Sequence, residues 1–546
     1  MARTPSQQGS GPRQPVARVI PAAPDAVLRE EGKLRRHLGF AALTAVGFSD
    51  IVGSGWLFGA MYAAQTAGPL SVLSWLAAGA LAMLVALVLV DLAARMPEAG
   101  GTVRWPLYAN GPLVAGVIGW AVLLSVGAGA AEVTATVQYL TRWFPGLHTG
   151  GRLSLSGVAV AIVLTGVFGA LNWFGVRLFT RVNYVLTVVK TAIPVLTVVL
   201  LLASGFHPHR LTDHGGFAPY GWSAGLAALS AGGLVYAVNG FQSPVDLAGE
   251  ARDPRRHLRP AVLTAIALAV LLYVSLQLAF LFAVPDSALT HGWRGVDFTS
   301  PFGQLALLVN LHWLALLLYA DAVVSPGGAT FIGLGISARR TYALAKNGLL
   351  PRWFLGVHTG SGIPRRALAL NASVMAVYLL PFGTWQDVVG TLGNLFLLVY
   401  ATSAVAAATL RPVGEPAGAM RWIPPLSFLV ATLFVYWSTW HRLHLTLPLA
   451  LAGVPLSWLL RAGRDGLLSR RELRRELRDG AWLPVWLTGL LCCSALGSSG
   501  GLGLLRGPYD TLAVLLFAAA VFAWAVRSGR RHVAEGRRPG VAHRGS

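Results

Sequence analysis

The sequence predicts an all-α protein that crosses a membrane many times. Of its 546 residues, 55% are hydrophobic and only 12% are charged, and the mean hydropathy is +0.60. Average soluble proteins have a charged fraction of about 25%. The chain also contains repeated apolar runs of about 20 residues, the length that spans a bilayer. These observations exclude a water-soluble fold and a disordered chain.

The apolar runs predict about fourteen membrane spans, and an even number places both termini on one side of the membrane. The predicted spans lie near residues 40–65, 70–94, 112–140, 155–174, 182–204, 222–248, 261–283, 303–336, 367–383, 387–410, 425–440, 445–460, 481–498 and 510–527. They divide the chain into a basic N-terminal tail (1–38), a first group of five spans (39–209), a second group of five (210–411), spans 11 and 12 (412–461), a basic linker (462–480), spans 13 and 14 (481–527) and a basic C-terminal tail (528–546).

The loop charges predict the orientation. Arginine supplies nearly all of the net charge of +21. The loops after predicted spans 2, 4, 6 and 8 hold several arginines each, whereas the opposite loops hold at most one or two. The positive-inside rule therefore places both termini in the cytoplasm of a protein of the cytoplasmic membrane. Because the charge is confined to loops and tails, nucleic acid is not a predicted partner.

The basic linker, residues 461–479, has the pattern of an amphipathic helix. Leu473 and Leu477 share one helical face, and arginines cover the rest. This pattern predicts attraction to anionic lipids of the inner leaflet. A solvated linker that only follows the positive-inside rule is the simpler alternative, and a regulatory or dimer contact is a third.

Two glycine clusters interrupt predicted spans 1 and 6. Gly53, Ser54 and Gly55 lie at the centre of the first, and Asn239 and Gly240 at the centre of the second. Irregular backbone at membrane depth is tolerated where it lines a protein cavity. Interruptions at corresponding places in two five-span halves are typical of inverted-repeat transporters, with a site near the bilayer midplane. Close helix packing at small residues is the alternative.

The interruptions also predict what would bind there. Free N–H groups at Gly55 and Trp56 would begin a half-helix whose dipole favours a carboxylate. Unwound carbonyls near span 6 would accept from an ammonium group, and the two together suit an α-amino acid. The predicted substrate-binding residues are Ile51, Gly53, Ser54, Gly55, Trp56, Tyr236, Ala237, Val238, Asn239, Gly240 and Gln242.

Four segments in the same order resemble the motifs of the amino acid–polyamine–organocation superfamily of transporters. These segments are IVGSGWLF at 51–58, the loop at 91–120, the sixth span and its loop at 236–262, and SARRTYALAKNGLLPRWF at 337–354. The resemblance implies a leucine-transporter-like core, a five-plus-five inverted repeat with discontinuous spans 1 and 6, that moves an amino acid by alternating access. GSGWLFGA and DAVVSPGG are further similar to a bacterial branch associated with proton-coupled aspartate uptake.

The resemblance also implies a proton-coupling site. Lys190 lies in mid-span 5, where several proton-coupled members place an amine at the sodium position of their sodium-coupled relatives. Burial disfavours its charged form, so proton uptake there would be linked to the state of spans 1 and 8. Asp321 and Ser325, one turn apart in span 8, face the same site. A purely structural pairing of Lys190 with a carboxylate such as Asp321 is the alternative.

Two further acids within spans are ambiguous. Asp50, beside the span 1 interruption, and Glu132, in span 3, are candidates for binding a substrate cation or a proton, or for hydrogen bonding within the structure. Gln242 stands where many members have a glutamate, so no proton role is assigned to it.

These features predict import of an amino acid by proton symport, with exchange of amino acids or polyamines as the alternative. An enzyme is not predicted, because the best polar cluster outside the spans, His291, Arg294 and Asp297, matches no catalytic or metal motif. No catalytic residue, metal or cofactor is assigned. The charge of the substrate side chain stays open, since Asp50 favours a cation and the inner arginines favour an acid. The oligomeric state also stays open.

Overall fold

The chain is almost entirely helical in the computed structural model, which describes residues 38–96, 100–149, 152–173, 176–358, 363–380, 384–412, 418–466 and 468–536. Most of both predicted tails, 1–37 and 537–546, lies outside these residues. The helices are α1 (Phe40–Ile51), α2 (Gly55–Ala67), α3 (Ser71–Arg95), α4 (Gly101–Asn110), α5 (Pro112–Leu124), α6 (Ala128–Leu140), α7 (Leu155–Trp173), α8 (Val176–Ser204), α9 (Trp222–Ala231), α10 (Leu234–Ala237), α11 (Ser243–Asp246), α12 (Pro254–Ala283), α13 (Pro301–Leu308), α14 (His312–Lys346), α15 (Arg365–Tyr378), α16 (Trp385–Leu410), α17 (Ile423–Tyr436), α18 (Trp440–Leu451), α19 (Gly453–Asp465), α20 (Arg470–Gly480), α21 (Trp482–Leu496) and α22 (Tyr509–Gly536). Between α6 and α7, β1 (His148–Thr149) pairs with β2 (Arg152–Leu153) in an antiparallel hairpin.

The helices confirm a multi-pass membrane protein. Within the described residues, nine helical segments are long and apolar enough to cross a membrane, and a tenth if α20 and α21, bent by 54°, count as one. Helices α1 and α17 are apolar but shorter. The total of about fourteen spans and the five-plus-five repeat stay predictions.

Both predicted helix interruptions are present. Residues Val52 to Ser54 separate α1 from α2, and the segment predicted as span 6 is divided into α9, α10 and α11. Gly240 has a φ of +113°, which favours glycine. A Cβ added there would lie 2.6 Å from the backbone carbon of Asp50. The second interruption therefore lies directly against the end of α1.

Small residues allow the surrounding helices to pack closely. Helix α12 packs against α1, α3 and α8, and α14 packs against α6 and α8, so α1 lies in the interior of the bundle. A Cβ on Gly79 would lie 2.5 Å from Val270, and one on Gly119 would lie 2.6 Å from Leu344. This is the close packing that small residues give membrane helices.

The region predicted as span 8, residues 303–336, differs from the structure. It consists of the short helix α13 and the separate helix α14, which continues to Lys346. Arg339 and Arg340, predicted to lie in a cytoplasmic loop, are therefore helical. They are accommodated because both meet carboxylates, Glu250 and Asp246 respectively.

The last described helix extends beyond the predicted end of span 14. Helix α22 continues through residues 528–536, which the sequence assigned to a tail, and packs against α20 of the basic linker. Asp479 accepts hydrogen bonds from Arg478 at 2.9 Å and from His532 at 3.0 Å. Burial raises the pKa of Asp479, but these hydrogen bonds outweigh it and hold the pKa below its ordinary value.

The linker helix α20 is shorter than the predicted amphipathic segment. Ser469 and Glu472 form a capping box at its start. Leu473 is half-buried, and Leu477 keeps 39% of its surface exposed. Glu476 does not face solvent but pairs with Arg461 of α19, with 2.8 Å between Oε2 and Nη2. Contact of this helix with anionic lipid stays a prediction.

We expect Asp479→Asn to loosen the docking of α22 on α20. Because the pKa of Asp479 is lowered on folding, its carboxylate stabilises the protein at neutral pH, and this is lost only as the pH falls through that lowered pKa, below about 4. Losing hydrogen bonds to a charged group costs about 1–3 kcal/mol. The melting temperature of the purified protein at pH 7 should therefore fall. Asp213→Asn, at an exposed carboxylate 3.8 Å from His209, is the control that should leave it unchanged.

Candidate functional site

A cavity lies where the two helix interruptions meet. Its volume is about 680 Å³ when all the space between atoms and the space open to solvent are counted. A Cβ on Gly55 would lie 2.6 Å from the Cβ of Ala237, so the interruptions are in direct contact at one end of the cavity. The lining residues with polar side chains are Asp50, Ser125, Glu132, Tyr236, Asn239, Gln242, Ser243, Thr330, Ser337 and Arg340.

The carboxylate of Glu132 fills the interruption between α1 and α2. It accepts hydrogen bonds from the backbone N–H of Ser54 at 2.6 Å and from the Ser54 hydroxyl at 3.0 Å. The hydroxyl of Tyr236 donates to the same carboxylate at 2.8 Å. In turn, the indole N–H of Trp385 donates to Ser54 Oγ at 2.7 Å. The amide of Ser54, which precedes the Gly55 and Trp56 amides predicted to be free, is thus paired with an acidic side chain.

Tyr273 connects the two interruptions. Its hydroxyl lies 2.9 Å from the carbonyl oxygen of Ile51 and 3.0 Å from that of Ala237. Both carbonyls belong to residues at helix ends, where no intrahelical partner is available. The single hydroxyl proton of Tyr273 is therefore shared between one carbonyl oxygen at each interruption.

The second interruption has its own polar network. The hydroxyl of Tyr400, on α16, donates to Asn239 and lies 3.1 Å from Oε1 of Gln242. The backbone N–H of Gly240 donates to the same Gln242 atom at 3.0 Å. Gln242 thus serves as a fixed acceptor for the turn.

Asp50 lies at the end of α1, beside this turn. Its carboxylate accepts a hydrogen bond from the hydroxyl of Ser243, the first residue of α11, and it lines the cavity. Asp50 therefore has a structural partner and also a surface that a ligand can reach.

Lys190 lies behind the cavity rather than in it. The side chain is fully buried, and its amine donates to the carbonyl oxygen of Ser49 in α1 at 2.7 Å. Asp321 instead accepts from Ser325 at 2.8 Å. Among the described residues, no ion pair within 4 Å joins Lys190 to Asp321, and Oδ2 of Asp321 is buried without a hydrogen-bond partner. The direct pairing considered from the sequence is absent here.

Aromatic side chains that do not line the cavity cluster around Trp385, which donates to Ser54. The ring of Trp385 stacks on Tyr62, with the centroids 5.7 Å apart, and on Phe58, with the centroids 5.3 Å apart. Tyr139 packs edge-on against Phe58 at 5.5 Å. The cavity is lined instead by the C-terminal part of α14, at residues between Ala329 and Arg340.

An ion pair lies where the cavity meets this part of α14. Nε and Nη2 of Arg340 lie 2.9 Å and 2.6 Å from Oδ2 of Asp246. The Thr102 hydroxyl donates to the other Asp246 oxygen at 3.2 Å. Sequence reasoning missed Arg340 as a site residue, although one signal could have found it. Thr330, Gly333, Ser337 and Arg340 recur with helical spacing and share a face of α14.

The predicted site residues divide into two groups in the structure. Nine of them line the cavity: Asp50, Ile51, Gly55, Glu132, Tyr236, Ala237, Asn239, Gly240 and Gln242. The others surround it without lining it: Gly53, Ser54, Trp56, Lys190, Val238, Asp321 and Ser325. Residues of both groups hold the interruptions: Glu132 and Gln242 do so from the lining of the cavity, whereas Lys190 does so from outside the lining.

The known proteins to which this chain is similar include several amino acid transporters. A family model described as amino acid permease matches residues 38–447. The glutamate/serine transporter of Bacillus subtilis is 34% identical over 513 residues, which cover 91% of this chain and 94% of that protein. The aspartate-proton symporter of the same organism is 32% identical over 516 residues, covering 92% and 98%. Human cationic amino acid transporter 4 is 28% identical over 395 residues, covering 70% and 60%.

We expect Gly53→Ala to disrupt the interruption in α1. The new Cβ would lie 2.7 Å from both carboxylate oxygens of Glu132, which are held by Ser54 and Tyr236 and cannot move without breaking those bonds. Losing hydrogen bonds to a buried charged group costs about 1.5–3 kcal/mol, so the melting temperature of the purified protein should fall.

The control is Gly393→Ala in α16, where a Cβ would have no atom of another element within 4 Å. Alanine is a better helix former than glycine, so this variant should melt at or slightly above the wild-type temperature. Equal melting of both variants would contradict the role given to Glu132.

Proposed function

The chain belongs to the amino acid permease family, and on that basis we propose that it imports an amino acid by proton symport with alternating access. Its relatives that transport amino acids include one named as an aspartate-proton symporter. Within the structure, the proposal is supported by hydrogen bonds between ionisable side chains and the backbone of the interrupted helix. Glu132 holds Ser54 on one side of the interruption, and Lys190 holds Ser49 on the other.

The substrate is assigned to the cavity between the interruptions. Its α-carboxylate would lie at the start of α2, where Gly55 begins a half-helix and N–H groups favour an anion. Its ammonium group would lie near Asp50, whose carboxylate lines the cavity. Because Glu132 already occupies the Ser54 amide, a substrate carboxylate that approaches this point meets a competing acid. Protonation of that acid would remove the repulsion, which links proton uptake to substrate binding.

Lys190 is proposed as the second coupling group. Its amine is attracted by Glu132, Asp50 and Asp321 and contacts the backbone three residues before the interruption. A charged amine makes a stronger hydrogen bond to a carbonyl than a neutral amine does. Proton uptake by Lys190 would therefore tighten the contact with α1, and proton release would free this helix to move. In this proposal Asp321 and Ser325 help to set the charge of Lys190 from α14.

Exchange of amino acids or polyamines is the second candidate function. It is favoured by the 28% identity to a cationic amino acid transporter and by the acidic Asp50 in the cavity. An exchanger requires substrate on both sides of the membrane and no proton gradient, which gives the experiment that separates the two.

We expect Lys190→Ala to uncouple uptake from the proton gradient. Full-length protein in proteoliposomes should accumulate an amino acid from a radiolabelled panel only under an inward proton gradient. The variant should still bind the amino acid, but its accumulation should be at least tenfold lower than that of the wild type, because the charged amine that holds Ser49 is gone. Thr191→Ala, which removes a hydroxyl bonded only to its own helix at Thr187, is the control and should accumulate like the wild type.

One result would contradict symport, and another would contradict only the role given to Lys190. Uptake that depends on amino acid loaded inside the vesicles and ignores the gradient would identify an exchanger. Undiminished gradient-driven accumulation by the Lys190 variant would remove Lys190 from the coupling mechanism while leaving symport in place.

A further inference from the structure

We propose that Arg340 makes the cavity selective for amino acids with an acidic side chain, by donating from its Nη1 to the side-chain carboxylate of the substrate. The inference rests on the proposed amino acid transport and adds to it the substrate class and the residue that selects it. It is carried by the charge of the cavity, by the geometry of the guanidinium and by the contrast with the neighbouring Arg339.

The charge of the cavity comes from few side chains. Among the described residues that line it, Arg340 is the only basic one, and Asp50 and Glu132 are the acidic ones. Glu132 is occupied by the interruption in α1, and Asp50 is the acid that remains near the end of that helix. Among these lining residues, Arg340 is therefore the one cation that the side-chain carboxylate of an acidic amino acid can contact.

The Arg340 guanidinium is held so that one nitrogen remains for a ligand. Nε and Nη2 both donate to a single oxygen of Asp246, at 2.9 Å and 2.6 Å. Within the described part of the chain, Nη1 makes no hydrogen bond, and it is not among the buried atoms without a partner. Asp246 is only 2% exposed and is itself held by Thr102. The substrate therefore does not have to break the ion pair in order to reach Arg340.

This arrangement favours a carboxylate over its amide. A guanidinium N–H donates strongly to a carboxylate oxygen, and such charge-assisted bonds are about twice as strong as neutral ones. An amide offers one neutral acceptor, and a cationic side chain is repelled. Because Asp246 offsets part of the positive charge, we expect a moderate preference, about tenfold in affinity for aspartate over asparagine or glutamate over glutamine.

Arg339 provides a matched comparison on the same helix. Its Nε lies 3.6 Å from Oε1 of Glu250, and it does not line the cavity. Both arginines pair with an acid from the segment that follows the second interruption. Only Arg340 also lines the cavity assigned to the substrate. If the two arginines only hold helices together, their substitution should change substrate affinity in a similar way. If Arg340 selects the substrate, only its substitution should change the preference for acids over amides.

The experiment measures affinity for four amino acids with full-length protein in proteoliposomes. The probes are L-aspartate, L-asparagine, L-glutamate and L-glutamine, each in competition with the best labelled substrate of the panel. In the wild type, each acid should bind about tenfold more tightly than its amide. Arg340→Gln should reduce this ratio to near one through weaker binding of the acids, while the affinities for the amides change less than threefold. Arg339→Gln should retain the wild-type ratio.

Arg340→Lys keeps the positive charge and replaces Arg340→Gln as the test variant if the latter does not fold. It should retain part of the preference for acids over amides. A wild-type ratio at or below one would overturn the proposal, and so would an equal loss of affinity for acids and amides in Arg340→Gln, which indicates a helix contact only. Failure of the wild type to take up any amino acid is a different result, because it contradicts the proposed function itself.

Discussion

The structure of the site depends on how the unpaired backbone of the interrupted first helix is satisfied inside a membrane. Where lipid excludes water, every free N–H or C=O group needs a partner from the protein. Glu132 supplies it at Ser54, Tyr236 holds Glu132, and Trp385 holds Ser54. These contacts join the start of α2 to α6, α10 and α16. The cavity lies beside them, where the first predicted span is not a continuous helix.

Two of the side chains that meet this requirement are ionisable, although hydrogen bonding alone does not demand it. A neutral side chain could satisfy a backbone group equally well, yet Ser49 receives the amine of Lys190 and Ser54 faces a carboxylate. Each of these contacts changes strength when a proton is gained or lost. A conformation of the first helix that is held by such contacts is sensitive to protonation, and this is the physical basis on which proton coupling can operate in this architecture.

The relatives of this chain carry names that indicate different substrates. The relatives are named for aspartate, for glutamate and serine, and for cationic amino acids. Function therefore follows from the side chains around the cavity more than from the fold. In this chain those side chains include Asp50 at the end of α1 and Arg340 on α14. From the sequence, Asp50 was predicted to lie beside the site, whereas Arg340 was predicted to lie in a loop.

Much of this protein could be predicted from residue types and their spacing. Long apolar runs predicted a multi-pass helical protein, and the glycines at 53, 55 and 240 predicted both interruptions, because these features depend on local chemistry alone. Other features depended on partners distant in the chain. Glu132 meets Ser54 across 78 positions, and Asp246 meets Arg340 across 94. Such contacts leave no local pattern, so only the packing of the helices decided that Glu132 fills the interruption, that Lys190 reaches Ser49 instead of Asp321, and that a presumed loop arginine faces the cavity.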